Sequence, residues 1–127
     1  MEKEFVPYEL ALELKELGFD EECFAFYNTT QMLIVSEFLW KNSFSKDSSI
    51  VAPLLQQAFR WFREKYPNIE FILPMKKKKD LGVFWGGGIK SEEMNFPKSY
   101  SSNFKTYEQA ELECLKQLIK MAKNEPK

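Results

Sequence analysis

The chain has no histidine in 127 residues and only two cysteines, Cys23 and Cys114. Without histidine the usual general base at neutral pH is missing, and with it the Ser-His and Cys-His nucleophile pairs. Two cysteines 91 positions apart, with no C-x-x-C pair, give neither a disulfide framework nor a zinc site. No apolar run approaches the 18 residues that a membrane-spanning helix needs. The opening segment MEKEFVPYEL is acidic and lacks the apolar core of a signal peptide. The expected location is therefore the cytoplasm, with both thiols reduced. Nothing in the sequence calls for a metal or a cofactor.

Aromatic residues are what the chain has in excess: 12 Phe, 5 Tyr and 3 Trp. Large rings remove much area from water per residue, so a chain of this length can bury a sizeable core. The same rings can instead form an exposed binding face. The net charge of −1 argues against a general polyanion binder, yet it hides a gradient. Residues 1–22 hold eight acidic groups against Lys3 and Lys15. Residues 60–90 hold eight basic groups against Glu64, Glu70 and Asp80. Such a split can steer an anionic partner to one side, or simply be a solvated surface.

Periodicity predicts the elements. Leu10, Leu14 and Leu17 after Pro7 mark a first helix, which Gly18 ends. Cys23–Tyr27 and Gln31–Trp40 read as strands joined by Asn28-Thr29-Thr30. The run Met32-Leu33-Ile34-Val35 is apolar on both faces, as expected of a central strand. A second helix starts at Val51-Ala52-Pro53 and carries the stripe Leu55, Ala58, Phe59, Phe62, Tyr66 until Pro67. Ile69–Met75 alternates as a third strand, with Pro74 pointing to its end or to a sheet edge. Leu81–Trp85 returns as a fourth. Residues 86–105, with Gly86-Gly87-Gly88 and Pro97, read as a long loop. Thr106 with Gln109 signals the cap of a last helix, and residues 123–127 a frayed tail. The expected fold is α+β, a single domain over 1–127 in the order α-β-β-α-β-β-α. It has a four-stranded, mainly antiparallel sheet with three helices largely on one face.

Three stretches carry a resemblance: Phe5-Val6-Pro7-Tyr8-Glu9-Leu10-Ala11 running on to Leu17-Gly18-Phe19-Asp20, Ala52 through Tyr66, and Thr106-Tyr107-Glu108-Gln109-Ala110-Glu111. Together they resemble a group of small uncharacterised proteins of Bacteroides-like bacteria, their phages and prophages. The resemblance covers the three helices, about a third of the chain, and implies a phage or mobile-element context. It brings no activity with it, and no residue gains a catalytic role from it.

The candidate binding surface joins two groups of residues. Lys76, Lys77, Lys78 and Lys79 at a hairpin tip, with Trp85 on the returning strand, suit phosphates and a stacked base. Four lysines also keep an edge hairpin from pairing with other sheets. Arg60, Trp61 and Arg63 have the composition of an interface hot spot, although Trp61 also suits a wide core face. The triple glycine lacks the Gly-Lys-Ser/Thr ending of a phosphate loop. Both cysteines read as small core residues, because acidic neighbours raise the Cys23 thiol pKa and Cys114 lies on an apolar helix face. Glu37 interrupts an apolar strand and is the one carboxylate placed where a catalytic pocket is conceivable. Ordered by these signals, the chain is expected to be a non-enzymatic accessory protein acting through protein–protein contacts or self-association. A nucleic-acid binder using Lys76–Lys79 and Trp85 is the alternative, and an enzyme with a carboxylate site near Glu37 the third reading.

Overall fold

Proline at position 7 has no N–H to leave unsatisfied, and the helix α1 (Tyr8–Glu16) starts immediately after it. The computed structural model describes the backbone of residues 2–44, 49–79, 82–91, 98–99 and 106–124. Its side chains are described over 3–44, 49–69 and 106–124. α1 turns Leu10, Ala11 and Leu14 inward. Gly18, at φ 98°, then closes it, a conformation that any side chain makes costly. The N–H of Gly18 reaches the Lys15 carbonyl at 3.0 Å and that of Phe19 reaches the Leu14 carbonyl at 2.9 Å. This pair of bonds is a Schellman cap, and it delivers Phe19 into the core, where it is fully buried.

The chain divides into two compact units, residues 1–61 and 62–127. In the first, β1 (Cys23–Tyr27) and β2 (Leu33–Trp40) form a hairpin. The Asn28 carboxamide oxygen accepts from the Thr30 and Met32 N–H groups and from the Thr30 hydroxyl, which shapes the turn. β3 (Ile50–Val51) pairs with the other edge of β1, so the sheet order is β2-β1-β3 and the pairing antiparallel. α1 packs on β3. The N-terminal segment is tied on by the Val6 N–H to the Pro53 carbonyl at 2.9 Å and the Tyr27 hydroxyl to the Val6 carbonyl at 2.7 Å.

Among the described residues of this unit, Asn42 is the buried polar side chain, 7 % exposed in a 3-10 turn over Asn42–Phe44. Its amide nitrogen donates to the Phe19 carbonyl at 2.8 Å, and its oxygen accepts from the Val51 N–H at 3.0 Å. One side chain thus joins the end of α1, the segment after β2 and β3. Next to it, the Ser43 N–H donates to the Asp20 carboxylate at 2.7 Å. That bond is the main reason the Asp20 carboxyl sits below its ordinary pKa.

Helix α2 (Leu55–Lys65) begins later than its sequence suggests, because Val51 belongs to β3. In the second unit β4 (Ile69–Lys79) and β5 (Gly82–Ser91) form a long antiparallel hairpin, and β6 (Lys98–Ser99) pairs with the free edge of β5. The register shifts between Ile72 and Met75, which brackets Pro74 in an edge strand, as a residue without an N–H requires. Helix α3 (Tyr107–Asn124) packs on β4 and β5, and Ala110, Cys114, Leu115, Leu118, Ile119 and Ala122 are its buried residues. The Thr106 hydroxyl accepts from the Gln109 N–H at 3.2 Å, the expected cap.

The fold is α+β, but the four-stranded sheet is replaced by two three-stranded antiparallel sheets. Each hairpin takes its third strand from a local two-residue segment, β3 beside β1 and β6 beside β5, which the sequence pattern is too short to signal. The helices divide in the same way, with α1 on β3 in one unit and α3 on β4 and β5 in the other. Residues 86–91, read from sequence as the start of a loop, continue β5. Residues 92–97 and 100–105 of that segment lie outside the described residues. Lys123 and Asn124 are still helical, and the rest of the tail, 125–127, also lies outside them.

Candidate binding surface

Of the surface expected from sequence, Trp61 belongs elsewhere. It is 6 % exposed and meets Phe19 edge-on, with ring centroids 5.4 Å apart. The apolar face of α2 is therefore wider than its stripe, because Phe19 covers the residue 100° to one side. Arg60 is exposed and held 3.5 Å from the Glu21 carboxylate. A pair of this kind on the surface contributes little. Arg63 is exposed in the last turn of α2.

Lys76, Lys77, Lys78 and Lys79 do not form a hairpin tip. They are the last residues of β4, opposite Trp85, Phe84, Val83 and Gly82 of β5. The turn itself, residues 80–81, lies outside the described residues. The structure does bring Trp85 and Lys76 together as register partners.

Glu37 is exposed on β2, whereas a carboxylate needs burial to become a useful acid. The carboxyl that burial does raise is Glu111 on α3, with a bond from Tyr107 opposing the shift. This is a helix-surface pair one turn apart. Among the described residues no group of three or more Asp, Glu, Cys or His could hold a metal ion.

The Cys23 thiol is buried and its pKa is pushed up to about 12, first by burial and then by the Glu21 carboxylate, with the Gln57 side chain pulling the other way. The folded state therefore keeps a proton that the unfolded state releases above about 9. Stability is expected to fall as pH rises from 9.0 toward 12, by at most about 1.4 kcal/mol per pH unit, and Cys23→Ala to flatten that decline. Urea unfolding at stepped pH values checks this. An equally steep decline in the variant would contradict it.

The feature that sequence reading missed is β2. It is an edge strand, and its Ile34, Val35, Phe38 and Leu39 face water. Val35 is paired with Ala25 and Trp40 with Cys23, so Ser36, Glu37, Phe38 and Leu39 stand opposite the single residue Phe24. The excess residues loop outward. Ser36 pins the loop, its hydroxyl oxygen accepting from the Phe38 N–H at 3.0 Å and the Trp40 indole N–H at 3.1 Å. Trp40 is thereby held against Phe26, centroids 5.1 Å apart. Within this irregular stretch Phe38 is 73 % exposed and Leu39 55 %, and before it Met32 is 62 % and Val35 53 % exposed. Phe44, beyond the end of the strand, is 58 % exposed with the Lys41 ammonium 5.9 Å from its ring centre. With about 200 Å² per ring, Phe38 and Phe44 alone present roughly 250 Å² of aromatic surface.

No family model, no curated protein and no solved structure matches the chain. Among the described residues no helix is long and apolar enough to cross a membrane.

Proposed function

We propose that the chain is a non-enzymatic accessory protein that works through protein–protein contacts, with the outward side of β2 as its docking surface. The observation that carries this reading is the exposure of Met32, Val35, Phe38 and Leu39 on and beside one edge strand. A contiguous apolar patch larger than a few hundred Å² is rare on a protein that works alone, because water penalises it and other strands adhere to it. The patch is also built. Ser36 spends its side chain holding Phe38 and Trp40 in place, which a strand with no outward task does not require. A cytoplasmic setting, in which both thiols stay reduced, is part of the same proposal. The resemblance of the helical stretches to phage and prophage proteins supports including a mobile-element context in this proposal.

On this reading the lysines of β4 act as an edge guard rather than a phosphate grip. Arg60 and Trp61 leave the working surface altogether.

Photo-crosslinking tests the proposal. A photoreactive phenylalanine analogue at position 38 or 39, in cells that carry the protein, is expected to give discrete adducts. The same analogue at Leu12, an exposed position on α1, is expected to give none. Equal labelling from all three positions, or none from 38 and 39, removes β2 as the docking surface.

A further inference from the structure

Each sheet has one short edge and one long edge. β3 and β6 have two residues each, whereas β2 has eight and β4 eleven. A long edge strand offers its backbone groups to any other strand, and natural sheets block such edges with lysine or proline. β4 has both, in Pro74 and Lys76–Lys79. β2 spans Leu33–Trp40 with no lysine, arginine or proline. The molecule guards one of its long edges and leaves the other bare.

The bare strand has a second property. Leu33-Ile34-Val35, Ser36-Glu37, Phe38-Leu39-Trp40 is three apolar residues, two polar and three apolar, the same pattern read in either direction. We propose that β2 docks on β2 of a second copy of this chain, the two strands antiparallel about a twofold axis between Ser36 and Glu37. This rests on the protein–protein reading above and names the partner. In that register Leu33, Ile34 and Val35 of one copy lie beside Trp40, Leu39 and Phe38 of the other, and the match occurs twice, as an isologous contact requires. Glu37, the single charge of the strand, lies beside Ser36 at the axis, away from the apolar triplets. The loop at Ser36–Leu39 interrupts a regular ladder, so side chains carry the contact more than backbone bonds do. A net charge of −1 sets little long-range repulsion between copies. The exposed strand is smaller than the roughly 800 Å² per partner of a standard interface, which suits a reversible dimer.

Sedimentation equilibrium from about 1 to about 300 μM, a range suited to a small interface, reads the mass directly. The wild-type mass is expected to climb from 15.0 kDa toward twice that value. Phe38→Asp and Val35→Lys, both at exposed positions, are expected to weaken association at least about thirtyfold with unchanged circular dichroism. Chains carrying Ile34→Cys and Leu39→Cys, once mixed, are expected to form a disulfide-linked pair, and Ile34→Cys alone is expected to form none. A mass of 15.0 kDa throughout, or Ile34→Cys linking to itself as readily as to Leu39→Cys, overturns the dimer. If the wild type is monomeric and position 38 labels a different protein, the second copy is wrong and the docking surface stands. If position 38 labels nothing, both fall.

Discussion

Replacing Trp61 with alanine is expected to cost about 3–5 kcal/mol of stability and to leave the β2 surface working, the range for removing a large buried aromatic. The indole is 6 % exposed and its edge contact with Phe19 lies under the Schellman turn that ends α1, so the cavity opens where two chain segments meet. The surrounding backbone is held by helix and cap bonds, which leaves little room for collapse. A protein of this size has about 5–15 kcal/mol in hand, so the variant sits close to unfolding at 37 °C. Arg60→Ala, one residue away, is expected to change stability by less than about 0.5 kcal/mol, since its partner Glu21 is a surface carboxylate. Urea unfolding followed by circular dichroism measures both. A Trp61→Ala loss under about 1 kcal/mol, paired with lost association, would return this residue to the interface.

Asn42→Leu carries the second large effect, about 2–4 kcal/mol, although leucine has the same branching and is the more apolar residue. The cost comes from the groups left behind. The Phe19 carbonyl and the Val51 N–H each lose their Asn42 partner in a buried place, and each stranded group costs about 1–3 kcal/mol. Because Asn42 joins the end of α1 to β3, the loss should also loosen the pairing of β3 with β1, read as faster amide exchange at Val51 and Ala52. A variant as stable as the wild type would show that another group or a water molecule replaces the carboxamide.

The helices were legible because their signals are local. Pro7, Gly18 and Thr106 act within one turn of their own positions, and the spacing of Leu10 with Leu14 or of Cys114 with Leu118 is set by helix geometry alone. The two antiparallel hairpins were legible as well, but how each sheet is completed was not, since the third strands, Ile50–Val51 and Lys98–Ser99, are too short to show a period of two. Gly86 and Gly88 read as the start of a loop because glycine shows no strand preference, yet Met75 and Ile72 of β4 pair with them. Trp61 misled because the buried face of α2 widens only where Phe19 comes over it.

The site was hidden for a related reason. A run such as Leu33-Ile34-Val35 looks the same in a central strand and in an edge strand that keeps its apolar side chains in water. Periodicity measures pattern and not environment. The signal that was available was the lack of any lysine, arginine or proline between Leu33 and Trp40, set against the four lysines of β4. The loop pinned by Ser36 has no sequence signature that separates it from an ordinary serine in a strand.

The two-residue strands that complete each sheet have a dynamic consequence. β3 and β6 each hold their neighbour with two register pairs, so either can peel away for a few broken bonds while the hairpin beside it stays intact. β3 is restrained by the Asn42 carboxamide and by α1, which raises the free energy of its opening. Each such opening uncovers backbone groups of β1 that are otherwise protected. The firmness with which Asn42 holds Val51 therefore governs how often that edge of β1 is open to capture by another chain in concentrated solution.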